Sequence, residues 1–244
     1  MKKYDYSKFI PYVLLAIGAP AHADNWVFQL SPYLYMPNVT NTINTPYTSS
    51  MTLKRPFSDV YSALDQALFL QLIARKDHWI TLADLNYAKL SQKGQIAIPH
   101  FGAQSASGNL KYISLSLLSG YRFTSSNYQQ LSLDLLGGMR YWSFNSDLAL
   151  SNYSLSLSKD WIEPVIASRF RYRLTPKISL VGYIDSSLSL DNQSWQWNTL
   201  LNYDLTDNIT LSTGYKAQRI SPELSKETVV SKSQGILVGF SSRF

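Results

Sequence analysis

The sequence predicts an all-β protein, a transmembrane antiparallel up-and-down β-barrel of about ten strands (range about 8 to 12) that follows a cleaved signal peptide. Three observations support this fold class. Apolar and polar residues alternate with a period of two over unusually long segments. The connections between these segments are short and long in turn, and aromatic residues gather near the segment ends.

The composition excludes several other classes of protein. The chain has 244 residues, of which 45% are hydrophobic, 14% aromatic and 16% charged, and it has no cysteine. It therefore has no disulfide scaffold and no cysteine-based metal or redox site. A disordered chain would be poor in aromatic residues and rich in charge. The net charge of +6 includes no basic run, so we expect no nucleic-acid partner.

The first segment, residues 1–23, has the pattern of a signal peptide. Lys2 and Lys3 precede an apolar run at residues 9–17, and Ala21-His22-Ala23 forms an A-x-A cleavage pattern. A buried N-terminal helix is the weaker alternative, because the run ends in small residues. The mature chain, residues 24–244, would then form a single barrel. It contains no stretch of about 18 apolar residues, so an exported form is either soluble or a membrane barrel.

The alternation is clearest in residues 128–144. Leu131, Leu133 and Leu135 share one face there, whereas Asp134 and Arg140 share the other. The same division recurs in three further segments, residues 161–174, 178–190 and 209–219. Alternation alone fits a soluble sandwich, with the apolar faces in a core, as well as a barrel, with those faces toward lipid.

Strand length and loop asymmetry favour the barrel, because a membrane strand needs about 9 to 11 residues and soluble strands usually have about 5 or 6. The predicted strands are residues 25–38, 67–76, 79–90, 109–123, 128–144, 161–174, 178–190, 195–205, 209–219 and 233–244. The tight connections are residues 77–78, 124–127, 175–177 and 206–208, and the long ones are 39–66, 91–108, 145–160 and 221–232. Within 39–66, Thr40 to Thr45 and Ser50 to Lys54 are candidates for an additional hairpin.

Aromatic residues separate by strand end, as in the two girdles of membrane barrels. The predicted periplasmic girdle contains Trp26, Trp79, Phe123, Tyr128, Tyr172, Tyr203 and Phe244. The predicted outer girdle contains Tyr87, Tyr141, Trp161, Trp195 and Trp197.

The C-terminal residues 234–244 resemble the closing strand of Gram-negative outer-membrane proteins, which ends in Phe after apolar residues at every second position. Phe244, Phe240 and Val238 fit this pattern, and Ser242 departs from it. The resemblance implies location in the outer membrane of a Gram-negative bacterium, contact with its lipid and lipopolysaccharide, and insertion by the barrel-assembly machinery. Phe240 and Phe244 would form the assembly signal.

The mature chain is also similar to a largely uncharacterised family of porin-like barrels. The resemblance rests on Trp26-Val27-Phe28, Pro32-Tyr33-Leu34-Tyr35-Met36-Pro37, Phe57-Ser58-Asp59-Val60, Ala83-Asp84-Leu85-Asn86-Tyr87 and Gly137-Gly138-Met139-Arg140-Tyr141. It implies a location and a fold, and no activity.

Several charged residues lie on strands whose other face is apolar, and we expect them to point into the lumen, since a basic residue facing lipid at midplane costs about 2 to 4 kcal/mol. These candidate site residues are Asp84, Asp134, Arg140, Arg169, Arg171, Asp185 and Lys216. Arg169 is expected beside Asp134 and Asp185. The set forms either a salt-bridge network that fills the barrel or a constriction that selects small solutes.

No catalytic residue, metal ligand or cofactor is predicted, so we do not expect an enzyme. His78 lies in a tight turn, and His100 and Ser105 lack the spacing of outer-membrane lipid hydrolases. Carboxylates expected near the outer strand ends, which a rim protease would need, leave a hydrolase as a minor alternative: Asp147, Asp160, Glu163 and Asp191.

The leading function from sequence is a narrow porin-like channel for small solutes. A non-conducting structural or surface-contact barrel, similar in role to an adhesin, is the alternative. A barrel of about eight strands is just filled by its own side chains, so ten strands leave at most a narrow pore.

Overall fold

A computed structural model describes residues 26–45, 48–98, 102–124, 130–150, 153–222 and 228–244. The predicted signal peptide, residues 1–23, lies outside the described residues. The strands are β1 (Val27–Thr45), β2 (Thr48–Arg55), β3 (Leu64–Lys76), β4 (Trp79–Ile98), β5 (Gly102–Thr124), β6 (Leu131–Leu150), β7 (Tyr153–Arg173), β8 (Ile178–Ser187), β9 (Gln193–Asp204), β10 (Ile209–Ser221) and β11 (Thr228–Arg243). One short helix, α1 (Phe57–Ala63), lies between β2 and β3. In the described ranges, no helix has the length and apolar character needed to cross a membrane.

Ten strands form a closed antiparallel ring, which confirms the predicted barrel. β1 and β3 to β11 pair with their neighbours in order, and β11 pairs with β1 to close the ring. At the closure, Phe28 and Phe244 each donate a backbone N–H to the other's carbonyl, at 2.9 and 3.0 Å. β2 is not one of the ten ring strands. It pairs with residues 39–45 of β1, while β3 pairs with residues 27–32 of the same strand, and this pairing confirms the additional hairpin within residues 39–66.

The distribution of exposed and buried side chains is the reverse of that in a soluble protein. Ile162 and Ile166 on the outer surface are 65% and 52% exposed. Asp134 and Glu163 in the interior are 0% exposed, and Arg140 is 1% exposed. Because the apolar faces do not meet in a common core, the sandwich is excluded, and the apolar outer surface suits lipid.

The strands reach much further than predicted from sequence. Residues 91–98 and 102–108 continue β4 and β5, and residues 145–150 and 153–160 continue β6 and β7, so these stretches are paired strands and the prediction of long loops there is wrong. Their Ser, Gly and Asn residues are typical of loops. Backbone pairing with a neighbouring strand outweighs that local preference.

The extended strands carry their polar outer face beyond the membrane. Lys89, Lys111, Asn145 and Ser158 are directly paired in one row across β4 to β7, and apolar residues dominate the outward positions below them. β5 has 23 residues and would extend roughly 60 Å at about 3.4 Å per residue and about 40° tilt. The apolar band of such barrels is only about 25 Å tall. We call the part of β4 to β7 above this row the tall wall.

The rim is much lower beside the tall wall. β8 pairs with β7 only from Arg173 up to Val165, and β8 ends at Ser187. Among the described residues, the β7 segment 153–163 therefore has no partner strand on its β8 side, and the Pro164 carbonyl accepts a hydrogen bond from Leu188 N–H at 2.9 Å. The opposite end of the barrel carries the short turns, 77–78, 174–177 and 205–208, and we call it the turn end. Asp77 has φ 52°, as a two-residue hairpin turn requires. In outer-membrane barrels the short turns face the periplasm.

Aromatic residues surround the turn end on the outer surface. Trp79, Phe123, Tyr172, Tyr203 and Phe244 are exposed there. Tyr141, Trp195 and Trp197 lie outward near the other boundary of the apolar band. The assignment of Trp161 to the outer girdle is wrong, because its neighbour Ile162 takes the outward position and Trp161 is buried in the lumen. Tyr128 lies outside the described residues.

Candidate functional site in the barrel lumen

The seven charged residues singled out from sequence all point into the lumen, but at two different heights. Asp84, Arg140, Asp185 and Lys216 lie halfway along the barrel, together with Glu163. We call these five residues the middle level. Asp134, Arg169 and Arg171 lie near the turn end with Arg75, Arg122, Asp204 and Arg243, and we call these seven the lower level.

Arg140 holds one side of the middle level together. Its guanidinium donates to Ser116 Oγ at 2.8 Å, to Ser194 Oγ at 3.1 Å and to the carboxylate of Asp185. Its Nη1 lies 3.7 Å from Glu163 Oε1. These partners come from β5, β7, β8 and β9, so one cation ties together strands over half of the barrel circumference.

Aromatic rings cover this ion cluster on the rim side. Trp142 Nε1 donates to Glu163 Oε1 at 2.9 Å, and Trp161 Nε1 lies 3.3 Å from Glu163 Oε2. The two indoles stack with centroids 5.8 Å apart, and Phe144 stacks on Trp161 at 5.6 Å. Ser194 also donates to Glu163. The Glu163 carboxylate is thus enclosed by donors and separated from the rim by stacked rings.

On the opposite side of the middle level, Lys216 links β10 to β4. Its Nζ donates to Asn86 Oδ1 at 3.4 Å, across the lumen from β10 to β4. Its Nζ also lies 5.6 and 5.4 Å from the ring centroids of Tyr33 and Tyr35. The Tyr33 hydroxyl donates to Asp84 at 3.0 Å, and Asn86 Nδ2 donates to the same carboxylate at 3.0 Å.

The lower level is built around Asp134. Arg122 binds this carboxylate through two nitrogens at 2.6 and 2.8 Å, and Arg169 Nη1 lies 3.1 Å away. The sequence predicts Arg169 beside Asp185. In the structure the two side chains are not paired, because Asp185 pairs with Arg140. The reason is register. Arg169 is opposite Asp134 on one side and Tyr183 on the other, which places Asp185 two residues further from the turn end.

Six participants are absent from the candidate residues predicted from sequence: Arg75, Arg122, Trp161, Glu163, Asp204 and Arg243. Arg122 shares the inward parity of Ser114 and Ser116 on its strand, which is the signal that identifies it. Glu163 was assigned to the outer strand ends, but it is buried in the middle level opposite Arg140. Trp161 lies two residues before Glu163 on β7 and therefore has the same inward parity.

Among the residues that the structure describes, the other candidates for chemistry do not form a site. Asp147, on the outer face of the tall wall, accepts a hydrogen bond from Ser156 at 2.7 Å, and Asp160 and Asp191 are exposed. His78 lies at the turn end, with Nδ1 3.0 Å from the Arg122 carbonyl, and His100 lies outside the described residues. In the part of the chain that the structure describes, no group of three His, Asp and Glu side chains could hold a metal ion.

A cavity of about 60 Å³, lined by both polar and apolar side chains, lies between the two levels. Asp84, Lys216 and Gln196 line its upper part, and Gln29, Arg169 and Asn202 line its lower part. At about 10 to 15 Å³ per water centre, this space holds a few water molecules.

Comparison with known proteins identifies the fold. No family model matches the sequence, and no curated protein matches it. Among solved structures, the chain is similar to the outer membrane protease OmpT from Escherichia coli, with 9% identity, coverage of 90% of this chain and 97% of that one, and a TM-score of 0.61. It is also similar to the translocator domain of the autotransporter NalP from Neisseria meningitidis, with 11% identity, coverage of 92% and 90%, and a TM-score of 0.51.

These similarities concern the fold alone, and the same fold serves a protease in one case and a translocator domain in the other. The chain has the fold of an outer-membrane β-barrel.

Proposed function

We propose that this protein is a non-conducting barrel that acts at the cell surface through its tall wall. The observation that supports the proposal is burial in the middle level, where Arg140, Glu163 and Asp185 are 1%, 0% and 2% exposed. Of the two functions that the sequence left open, this geometry favours the surface-contact barrel over the narrow channel.

Ion passage would require these groups to separate. A hydrated ion moving along the lumen would have to pass between Arg140 and Asp185 and then displace the stacked indoles of Trp142 and Trp161. Separating a buried pair leaves a charge without a partner in a low-dielectric site, which typically costs about 3 to 5 kcal/mol. Solutes larger than an ion would have to displace more side chains.

The tall wall offers a surface suited to contact. The β7 segment 153–163 carries Ser154, Ser156 and Ser158 on one face, and the described structure places no strand on its β8 side. An unpaired strand edge binds extended segments by strand addition, in which the backbone supplies affinity and alternate side chains supply specificity. We propose this edge as the contact surface, with an extended peptide segment as the partner.

The boundary of the apolar band suggests contact with lipopolysaccharide. Lys89 and Lys111 are directly opposed, exposed and outward-facing. Like charges in this arrangement are destabilising unless an anion lies near both. Phosphate groups of the outer leaflet would supply such an anion at this height.

No catalytic function is proposed. Although OmpT is a protease, none of the carboxylates considered from sequence lies beside a histidine in the described residues. The histidine in those residues, His78, lies at the turn end, far from the rim.

Surface contact is tested by adhesion of whole cells. Cells that express the protein should adhere to protein-coated surfaces better than cells that carry an empty vector. Ser156→Pro removes a backbone donor and should reduce adhesion, whereas Ser116→Ala inside the lumen should leave adhesion unchanged. Equal adhesion of wild type and Ser156→Pro, at equal surface levels, would contradict the assigned surface.

A further inference from the structure

Arginine side chains converge inside the barrel at the turn end. They come from four strands spaced around the ring, with Arg75 on β3, Arg122 on β5, Arg169 and Arg171 on β7, and Arg243 on β11. All five have inward parity. The strand registers place all five inside the barrel, close to the short turns. We call this part of the lumen the arginine vestibule.

The vestibule has too few carboxylates for its cations. Asp134 receives both Arg122 and Arg169, and Asp204 lies 3.8 Å from Arg171. Among the described residues, no carboxylate pairs with Arg75 or Arg243. Five guanidinium groups thus face two carboxylates, which leaves three positive charges in excess.

Two donors in the vestibule also lack acceptors. The Nε atoms of Arg75 and Arg243 are buried, and neither has a hydrogen-bond partner in the described structure. A guanidinium group presents its donors in a planar fork that suits carboxylate and phosphate oxygens. Both the excess charge and the unused donors therefore indicate an anionic ligand with several oxygens.

The cavity between the two levels adjoins the vestibule on the side of the middle level. Gln29, which is opposite Arg243 in the strand register, lines the cavity with Arg169 and Asn202. Amide side chains supply further donors to an oxyanion. Lys216 lies at the upper end of the cavity and adds another positive charge.

We propose that the arginine vestibule binds a small polyvalent oxyanion of the phosphate class, which enters from the periplasmic side. A polyvalent anion fits an excess of three charges better than a monovalent one. Since the site is enclosed by the barrel wall, a soluble anion reaches it and a macromolecule does not. The vestibule ends below the middle level, so binding requires no open channel and is independent of the surface-contact function.

Calorimetric titration of the folded barrel in detergent with inorganic phosphate tests this site. Wild type should bind saturably with about one phosphate per barrel, and sodium chloride at matched ionic strength should give no saturable heat. Arg75→Gln and Arg243→Gln should each weaken phosphate binding at least about tenfold, the loss expected for one charge-assisted hydrogen bond. Lys177→Gln removes a charge from an exposed turn at the same end and should change the affinity less than twofold.

Thermal unfolding separates an anion site from a structural role for the arginines. In chloride buffer, Arg75→Gln relieves repulsion and should melt at or above the wild-type temperature. At the same phosphate concentration, the melting temperature should rise for wild type and should rise less for Arg75→Gln. The proposal is overturned if phosphate does not bind wild type saturably, or if Lys177→Gln weakens binding as much as Arg75→Gln. A lower melting temperature of Arg75→Gln in chloride, with phosphate affinity unchanged, would likewise assign Arg75 to structure.

Discussion

Replacement of Arg140 by Ala removes the cation at the centre of the middle level. The change leaves the buried carboxylates of Asp185 and Glu163 without their charged partner, and it removes the donors to Ser116 and Ser194. Breaking a buried pair by removing one partner typically costs about 3 to 5 kcal/mol. We expect the free energy of unfolding of Arg140→Ala to fall by about that amount.

Arg169 provides a comparison inside the same lumen. After Arg169→Ala, Asp134 keeps both hydrogen bonds from Arg122, at 2.6 and 2.8 Å. The Arg169 side chain is also 11% exposed, so solvent reaches part of this pair. We expect a loss of about 1 kcal/mol, close to the range of exposed ion pairs.

Urea unfolding of the barrel in lipid vesicles, followed by the mobility difference between folded and unfolded forms on a gel, measures both losses. Arg173→Ala, at an exposed position near the turn end, is the control and should unfold like wild type. Adding Asp185→Asn to Arg140→Ala should recover part of the stability, because one buried charge then disappears. If Arg140→Ala loses no more than about 1 kcal/mol, solvent screens the cluster and the closed lumen is refuted.

Three further predictions test location, assembly and the outer surface. Mass spectrometry of protein from outer membranes should find Asp24 at the N-terminus, as the Ala21-His22-Ala23 pattern predicts, and a retained Met1 would contradict export. Phe244→Ala should lower the amount of heat-modifiable barrel in the membrane fraction. Phe244→Tyr keeps a ring that can stack on Phe28 and should assemble like wild type. Equal levels of folded barrel for both variants would count against the assembly signal. Leu117→Arg, on the lipid face, should destabilise the barrel by about 2 to 4 kcal/mol in vesicle unfolding. The control, Ser156→Arg on the tall wall, should change the free energy of unfolding by less than about 1 kcal/mol. Similar losses for the two variants would show that the membrane boundary is misplaced.

The inward and outward faces of the strands follow from sequence because the side-chain period in a strand is two. Once Leu133 and Leu135 face lipid, Asp134 must face the lumen, whatever its neighbours do. The same parity predicts Arg140, Arg169 and Lys216 on the inner face, and their side chains lie in the lumen. Trp161 and Glu163 share this inward parity, although both lie near the predicted outer end of their strand.

Strand ends and side-chain partners were harder to predict. Residues 145–150 and 153–160 have the composition of a loop because Ser and Asn are common in turns, and only pairing with a neighbouring strand makes them extended. The partner of Asp185 depends on the relative stagger of β7 and β8, which no local pattern encodes. The separation of the lumen charges into two levels therefore depends on the strand register, which the sequence alone does not give.

Single-channel recording in planar lipid bilayers tests the closed lumen most directly. A closed lumen predicts no stable conductance steps at either polarity from wild-type barrel whose folded state has been verified by heat modifiability. Stable single-channel steps from the same preparation, absent from a preparation of unfolded protein, would show a continuous aqueous path past Arg140 and Glu163 and would refute the closed lumen.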